Sequence, residues 1–131
     1  MKRKLLISTS PIDEPALIGQ RNLSDEMGAV INFLGVVRGS EGSQPITGIE
    51  YEAFVEMAEH QFKLIFDHVE RTWPIAGVHL VHRIGYVPVK QPSLWVEVVG
   101  GHREEAFAAC RYIIEEMKRK VPIWKKPVKP L

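Results

Sequence analysis

Residues 100–126, GGHREEAFAACRYIIEEMKRKVPIWKK, set the frame for the chain. The apolar run 94–99 leads into Gly100-Gly101. Ala106, Phe107, Cys110, Ile113, Ile114 and Met117 then recur at spacings of three and four, which predicts an amphipathic helix. His102 and Arg103 fall in its first turn, where unpaired N–H groups and the positive end of the helix dipole suit a phosphate or carboxylate. At the other end Glu115 and Glu116 precede Arg119 and Lys120 by four residues, the favourable order for surface ion pairs. Lys118 instead has Ile114 at that spacing and lies beside Met117, on the flank of the apolar stripe. Partly withdrawn from water and crowded by Arg119, Lys120, Lys125 and Lys126, it is a candidate for proton transfer or nucleophilic work. Pro122 ends the helix at or before Val121. About residues 121–131 read as an extended basic tail, with Ile123 and Trp124 anchoring its lysines near a cleft.

Working outward, 131 residues make one domain with a real core. A net charge of +1 with 25% charged residues describes an ordinary soluble surface, so basic character is local and a general nucleic-acid binder is disfavoured. One cysteine excludes an intrachain disulfide and fits a reducing compartment. The run Leu5-Leu6-Ile7 is far too short for a membrane span or a secretion signal, so the expected location is cytoplasmic.

Residues 4–9 read as a strand and 10–19 as a short helix with acidic residues in its first turn. Residues 28–37, GAVINFLGVV, are almost continuously apolar and predict a strand buried on both faces, delivering Arg38 to its end. Residues 39–45 have loop composition and predict a mobile flap. In 46–54, Ile49, Tyr51 and Ala53 alternate with Glu50 and Glu52, a half-buried strand whose carboxylates form a wet face. Residues 55–73 carry Ala58, Phe62, Ile65, Val69 and Trp73 on one helical face, stopped by Pro74. Strands follow at 77–84, at 85–89, where Pro88 marks an edge or bulge, and at 94–99. His60, His68, His79 and His82 have neither a cysteine partner nor metal-site spacing, so no metal is expected. The order β-α-β-β-α-β-β-β-α is too irregular for a doubly wound sheet. It predicts an α+β single domain, residues 1–131, with a mainly antiparallel sheet and flanking helices.

GHREEAFAACRYIIEEMKRKVPIWKK, GAVINFLGVVR and IEYEAFVEMA, with Trp73-Pro74 and VHRIG between them, resemble the catalytic (large) subunit of molybdopterin synthase over nearly the whole chain. The resemblance implies an α/β hammerhead fold. It also implies a sulfurtransferase that converts cyclic pyranopterin monophosphate (precursor Z) to molybdopterin by inserting two sulfurs, in molybdenum cofactor biosynthesis, without a resident cofactor or metal. It carries over Arg38, His102 and Arg103 as a phosphate clamp, Lys118 as the acid–base residue and Lys125 as a stabiliser of developing charge. Lys126 and Pro127 would line the same pocket, and Val36 and Val37 would contribute backbone. Pro127 stands where the family often has an acidic residue. The sulfur would come from a small ubiquitin-like carrier ending in a Gly-Gly thiocarboxylate, since Cys110 falls in the apolar stripe, where a buried and unreactive thiol is expected.

Geometry adds a constraint. Along one continuous helix His102 and Lys118 stand roughly 24 Å apart at 1.5 Å per residue, too far for one small pterin to touch both. A homodimer, giving a heterotetramer with the carrier, resolves this if the His102-Arg103 turn of one subunit completes the pocket of the other. Two other readings compete: a non-catalytic nucleotide- or RNA-binding module built on the basic groove and Trp124, and an enzyme using Cys110 as nucleophile.

Overall fold

The computed structural model describes residues 1–131. Its centre is β8 (Pro92–Gly100), SLWVEVV between a proline and a glycine, with Trp95, Val96 and Val98 wholly buried. Valines and a tryptophan suit a strand flanked on both sides and covered on both faces. β8 lies between β6 (Ile75–Arg83) and β2 (Ala29–Val36), antiparallel to both, and β1 (Lys2–Ser8) adds parallel to β6, giving the order β1-β6-β8-β2.

Two long helices cover one face of this sheet. α2 (Val55–Thr72) buries Ala58, Phe62, Ile65, Phe66 and Val69, and α3 (Arg103–Lys120) buries Ala106, Ala109, Cys110, Ile113 and Met117. With Val78, Leu80, Leu94, Val96 and Val98 of the sheet they form one cluster of 17 buried residues. The short α1 (Glu14–Gly19) starts at Asp13, whose carboxylate accepts a hydrogen bond from the Ala16 N–H at 3.2 Å.

A second, smaller sheet has the order β7-β5-β9, formed by β7 (Gly85–Pro88), β5 (Gly48–Ala53) and β9 (Ile123–Val128), all antiparallel. Its core is only Val37, Ile46, Ile49 and Val87. Gly48 is required here: a Cβ would lie 2.5 Å from the Val87 carbonyl oxygen and 2.7 Å from the Tyr86 ring.

The α+β class and the mainly antiparallel pairing stand, and three local expectations are corrected. The strand predicted at 28–37 is an edge strand, not one buried on both faces: β2 pairs only with β8, and Phe33, Leu34 and Val36 stay exposed. Residues 39–45 are not structureless, since β3 (Ser40–Glu41) and β4 (Gln44–Pro45) pair as a hairpin turning at Gly42, whose φ of 61° suits glycine. The tail is a full strand, β9, its Pro127 on an edge where a missing N–H costs no ladder bond.

Candidate functional site

Where the two sheets meet, a cleft of about 470 Å³ opens between the end of β2, the end of α3 and the face of the small sheet. Each cation in it arrives by a separate structural route. Val37 is plugged into the small core, its N–H donating to the Gln91 carbonyl at 3.0 Å, and this fixes Arg38 at the rim. Lys118 stands in the last turn of α3, which stops at Val121 before Pro122. The adjoining Met117 and Val121, one turn apart and both buried, form the apolar wall. Lys125 is delivered by register: it pairs across the ladder with Tyr51, and directly opposed residues share a face of the sheet. Lys126 pairs with Glu50, one step out of phase, and so faces the other way.

The cleft therefore gathers Val36, Val37, Arg38, Lys118 and Lys125. Lys126 and Pro127 do not line it, and His102 and Arg103 stand at the opposite end of α3. Lys118 is exposed in the single chain, not half-withdrawn as its place beside the apolar stripe suggested. It is also unpaired. Glu116 takes both Lys120 (3.5 Å) and Arg119 (3.9 Å), and Glu115 takes Arg111 (3.1 Å). Lys125 reaches Glu41 of the hairpin at 3.4 Å, with Lys125 exposed and Glu41 partly exposed. Such a pair contributes about 0–1 kcal/mol, little enough for an incoming anion to displace it.

Three polar residues on the cleft wall escaped the sequence reading. Tyr51 donates its hydroxyl to Ser93 Oγ at 3.2 Å, and its ring meets the His82 ring edge-on at 5.3 Å between centroids. His82 is 5% exposed, and burial pushes its pKa below the ordinary imidazole range. A signal for it existed: His82 continues the core-facing alternation Val78, Leu80, so it had to point under the helices rather than to solvent.

Elsewhere, His102 Nδ1 lies 3.2 Å from Glu105 Oε1, so the first turn of α3 already holds a carboxylate beside its imidazole. Cys110 is buried and burial pushes its thiol up to about 11, which leaves it a poor nucleophile near neutrality. On the other face of the large sheet a concavity of about 280 Å³ includes Lys2, Lys4, Arg21, His79 and Glu97. Its buried carboxylate, Glu97, is already held by Arg21 at 2.6 Å and Asn32 at 3.3 Å.

Residues 7–120 match the family model described as MoaE protein. The chain belongs to this family. It is 39% identical over 103 residues to a molybdopterin synthase catalytic subunit of Thermoplasma volcanium, covering 79% of this chain and 75% of that one. It is 34% identical over 111 residues to the human protein of the same name, covering 85% of this chain and 59% of the human one. The fold matches molybdopterin synthase from Staphylococcus aureus with a TM-score of 0.85 at 32% identity, over 97% of this chain and 90% of that one. A Helicobacter pylori structure shares the fold at 21% identity and a TM-score of 0.76, over 97% of this chain and 88% of that one; it is a complex of subunits 1 and 2 of molybdopterin-converting factor. The chain is thus a homologue of catalytic subunits, which places it among the enzymes and disfavours the RNA-binding reading.

Proposed function

We propose that this cleft transfers sulfur from a thiocarboxylated small carrier protein to cyclic pyranopterin monophosphate, making the dithiolene of molybdopterin in two rounds, in the cytoplasm. The observation that carries this reading is the convergence of Arg38, Lys118 and Lys125, from three separate elements, on one cleft with an apolar wall. Arg38 grips the cyclic phosphate through charge-assisted hydrogen bonds. Lys118 serves as the acid–base residue and gives its ammonium proton to the departing oxygen as sulfur adds. Lys125, released from Glu41, stabilises the developing negative charge. The carrier's anionic C-terminus suits the same cationic groove.

A second copy of the chain supplies His102 and Arg103. Two observations support this: they lie on the far end of an 18-residue helix from Lys118, and β2 leaves Phe33, Leu34 and Val36 exposed along an edge of the kind that subunit contacts cover. With one carrier on each copy the assembly is a heterotetramer. Lys126 and Pro127 stand off the cleft wall in the single chain, Lys126 on the opposite face of the small sheet.

The test is reconstitution: purified chain, thiocarboxylated carrier and the cyclic pterin phosphate, with the dithiolene product measured. Lys118→Ala is expected to slow turnover by about 10²–10⁴-fold and Cys110→Ala to leave it intact. Loss of turnover in Cys110→Ala with retention in Lys118→Ala would overturn the assignment.

A further inference from the structure

The sulfur-transfer reading, on which this inference rests, creates a chemical demand that the cations cannot meet. Once the thiocarboxylate sulfur has bonded to the pterin, the same sulfur is still joined to the carrier's terminal carbonyl as a thioester. Water must cleave that C–S bond, and a water attacking near neutral pH needs a proton acceptor. The titratable side chains lining the cleft are Arg38, Glu41, Tyr51, His82, Lys118 and Lys125. Guanidinium and ammonium groups carry donors only, so Arg38, Lys125 and charged Lys118 cannot accept the proton; Lys118 accepts one only in the amine form left after it has protonated the departing oxygen. Glu41, on the hairpin, is freed when Lys125 leaves it, but a carboxylate is ordinarily a weaker base than an imidazole, and Tyr51 donates to Ser93. His82 is left.

Its geometry suits the task. His82 Nδ1 lies 2.8 Å from the Arg83 carbonyl oxygen, which can only accept, so Nδ1 carries the hydrogen and Nε2 presents a lone pair. Nε2 makes no hydrogen bond within the chain. Nε2 is not among the sealed side-chain atoms that lack a hydrogen bond, so it reaches open space, and the cleft is the cavity that His82 lines. The ring is held from behind by the Arg83 carbonyl and from the side by Tyr51; burial favours the neutral imidazole and the Arg83 carbonyl opposes it, while the charged groups facing the cleft are Arg38, Lys118, Lys125 and Glu41.

We propose that His82 Nε2 is the proton acceptor for the water that hydrolyses the carrier–pterin thioester. As the water oxygen adds to the carbonyl carbon, one proton passes to Nε2. The C–S bond breaks with its electron pair leaving on sulfur as the pterin thiolate, and the oxygen remains in the carrier's carboxylate. The second proton, from the nascent carboxylic acid, goes to solvent. No oxidant or reductant is consumed. The depressed pKa of His82 keeps it unprotonated and ready at neutral pH.

Single-turnover reactions of the full chain with thiocarboxylated carrier and the cyclic pterin phosphate, quenched and read by intact-mass spectrometry, test this. His82→Gln and His82→Asn are both used, because the amides preserve a donor or an acceptor without basicity, and melting temperatures report whether each is folded. In a folded variant the carrier–pterin thioester should form at the wild-type rate and then persist, its release slowed by about 100-fold or more. Hydroxylamine, which cleaves thioesters without a protein base, should discharge it. Release by the wild type should show an acid limb below the usual imidazole range, absent from the variants. Wild-type release rates in a folded variant overturn the proposal. If both variants unfold, the wild-type profile decides: an acid limb supports the proposal and a flat profile overturns it. Wild type that forms neither adduct nor product would instead remove the sulfur-transfer reading itself.

Discussion

The two sheets divide the molecule's labour unequally. The four-stranded sheet and its two long helices share 17 buried residues, whereas the three-stranded sheet rests on four. Yet Lys125, Tyr51 and the Val37 anchor of Arg38 all belong to the smaller unit, and the larger adds the polar side chains Lys118, His82 and Ser93 with the apolar wall of Met117 and Val121. The small unit also leaves Phe54 and Trp124 exposed, in edge-on contact at 4.8 Å. Stability is thus concentrated away from the cleft, and the side that must admit a carrier tail is the side with the least core to lose.

That contrast can be broken or sharpened by substitution. The largest effect on stability should come from Phe62→Ala in the large core, where a wholly buried ring is lost; denaturant melts should show about 3–5 kcal/mol of destabilisation, with the folded fraction still turning over. Gly48→Ala, which drives a methyl into the Val87 carbonyl, should cost less, about 1–3 kcal/mol, yet reduce turnover more, because β5 positions Tyr51 and pairs with Lys125. Cys110→Ala should cost about 1 kcal/mol with no change in turnover.

The smallest effect is a pH slope. His79 and His82 both have pKa values lowered by burial, His79 also by the charge on Lys4. The unfolded chain therefore binds protons first, and stability present above the ordinary value of 6.5 is lost as pH falls through the lower folded values. Melting temperature should drop between neutral and mildly acid pH. The two rings lie on opposite faces of β6, so His79→Gln should flatten only the stability profile, and His82→Gln should flatten the thioester-release profile as well.

Much of this was legible in the sequence. The spacing of Ala106 to Met117 marked α3 almost to the residue, and Pro122 marked where it ends. What failed was long-range pairing. An apolar run such as GAVINFLGVV reads the same at an edge as in the centre, and only the partners of β8 decide which it is. Nothing local shows that residues 123–128 find β5 some seventy positions earlier, so the tail read as extended but unpaired, and the opposite facing of Lys125 and Lys126 stayed hidden. His82 was visible only as one of four scattered histidines. Its importance comes from the Arg83 carbonyl and the Tyr51 ring, a tertiary arrangement.

The account turns on a site assembled from opposite ends of α3 in two copies of the chain, and subunit complementation tests it most directly. Lys118→Ala and Arg103→Ala, each impaired alone, are unfolded together, refolded and assayed for dithiolene formation. Random pairing makes half the dimers mixed, each with one intact site, so turnover should recover to about a quarter of wild type. Activity that stays at the mean of the two separate variants would contradict the shared site.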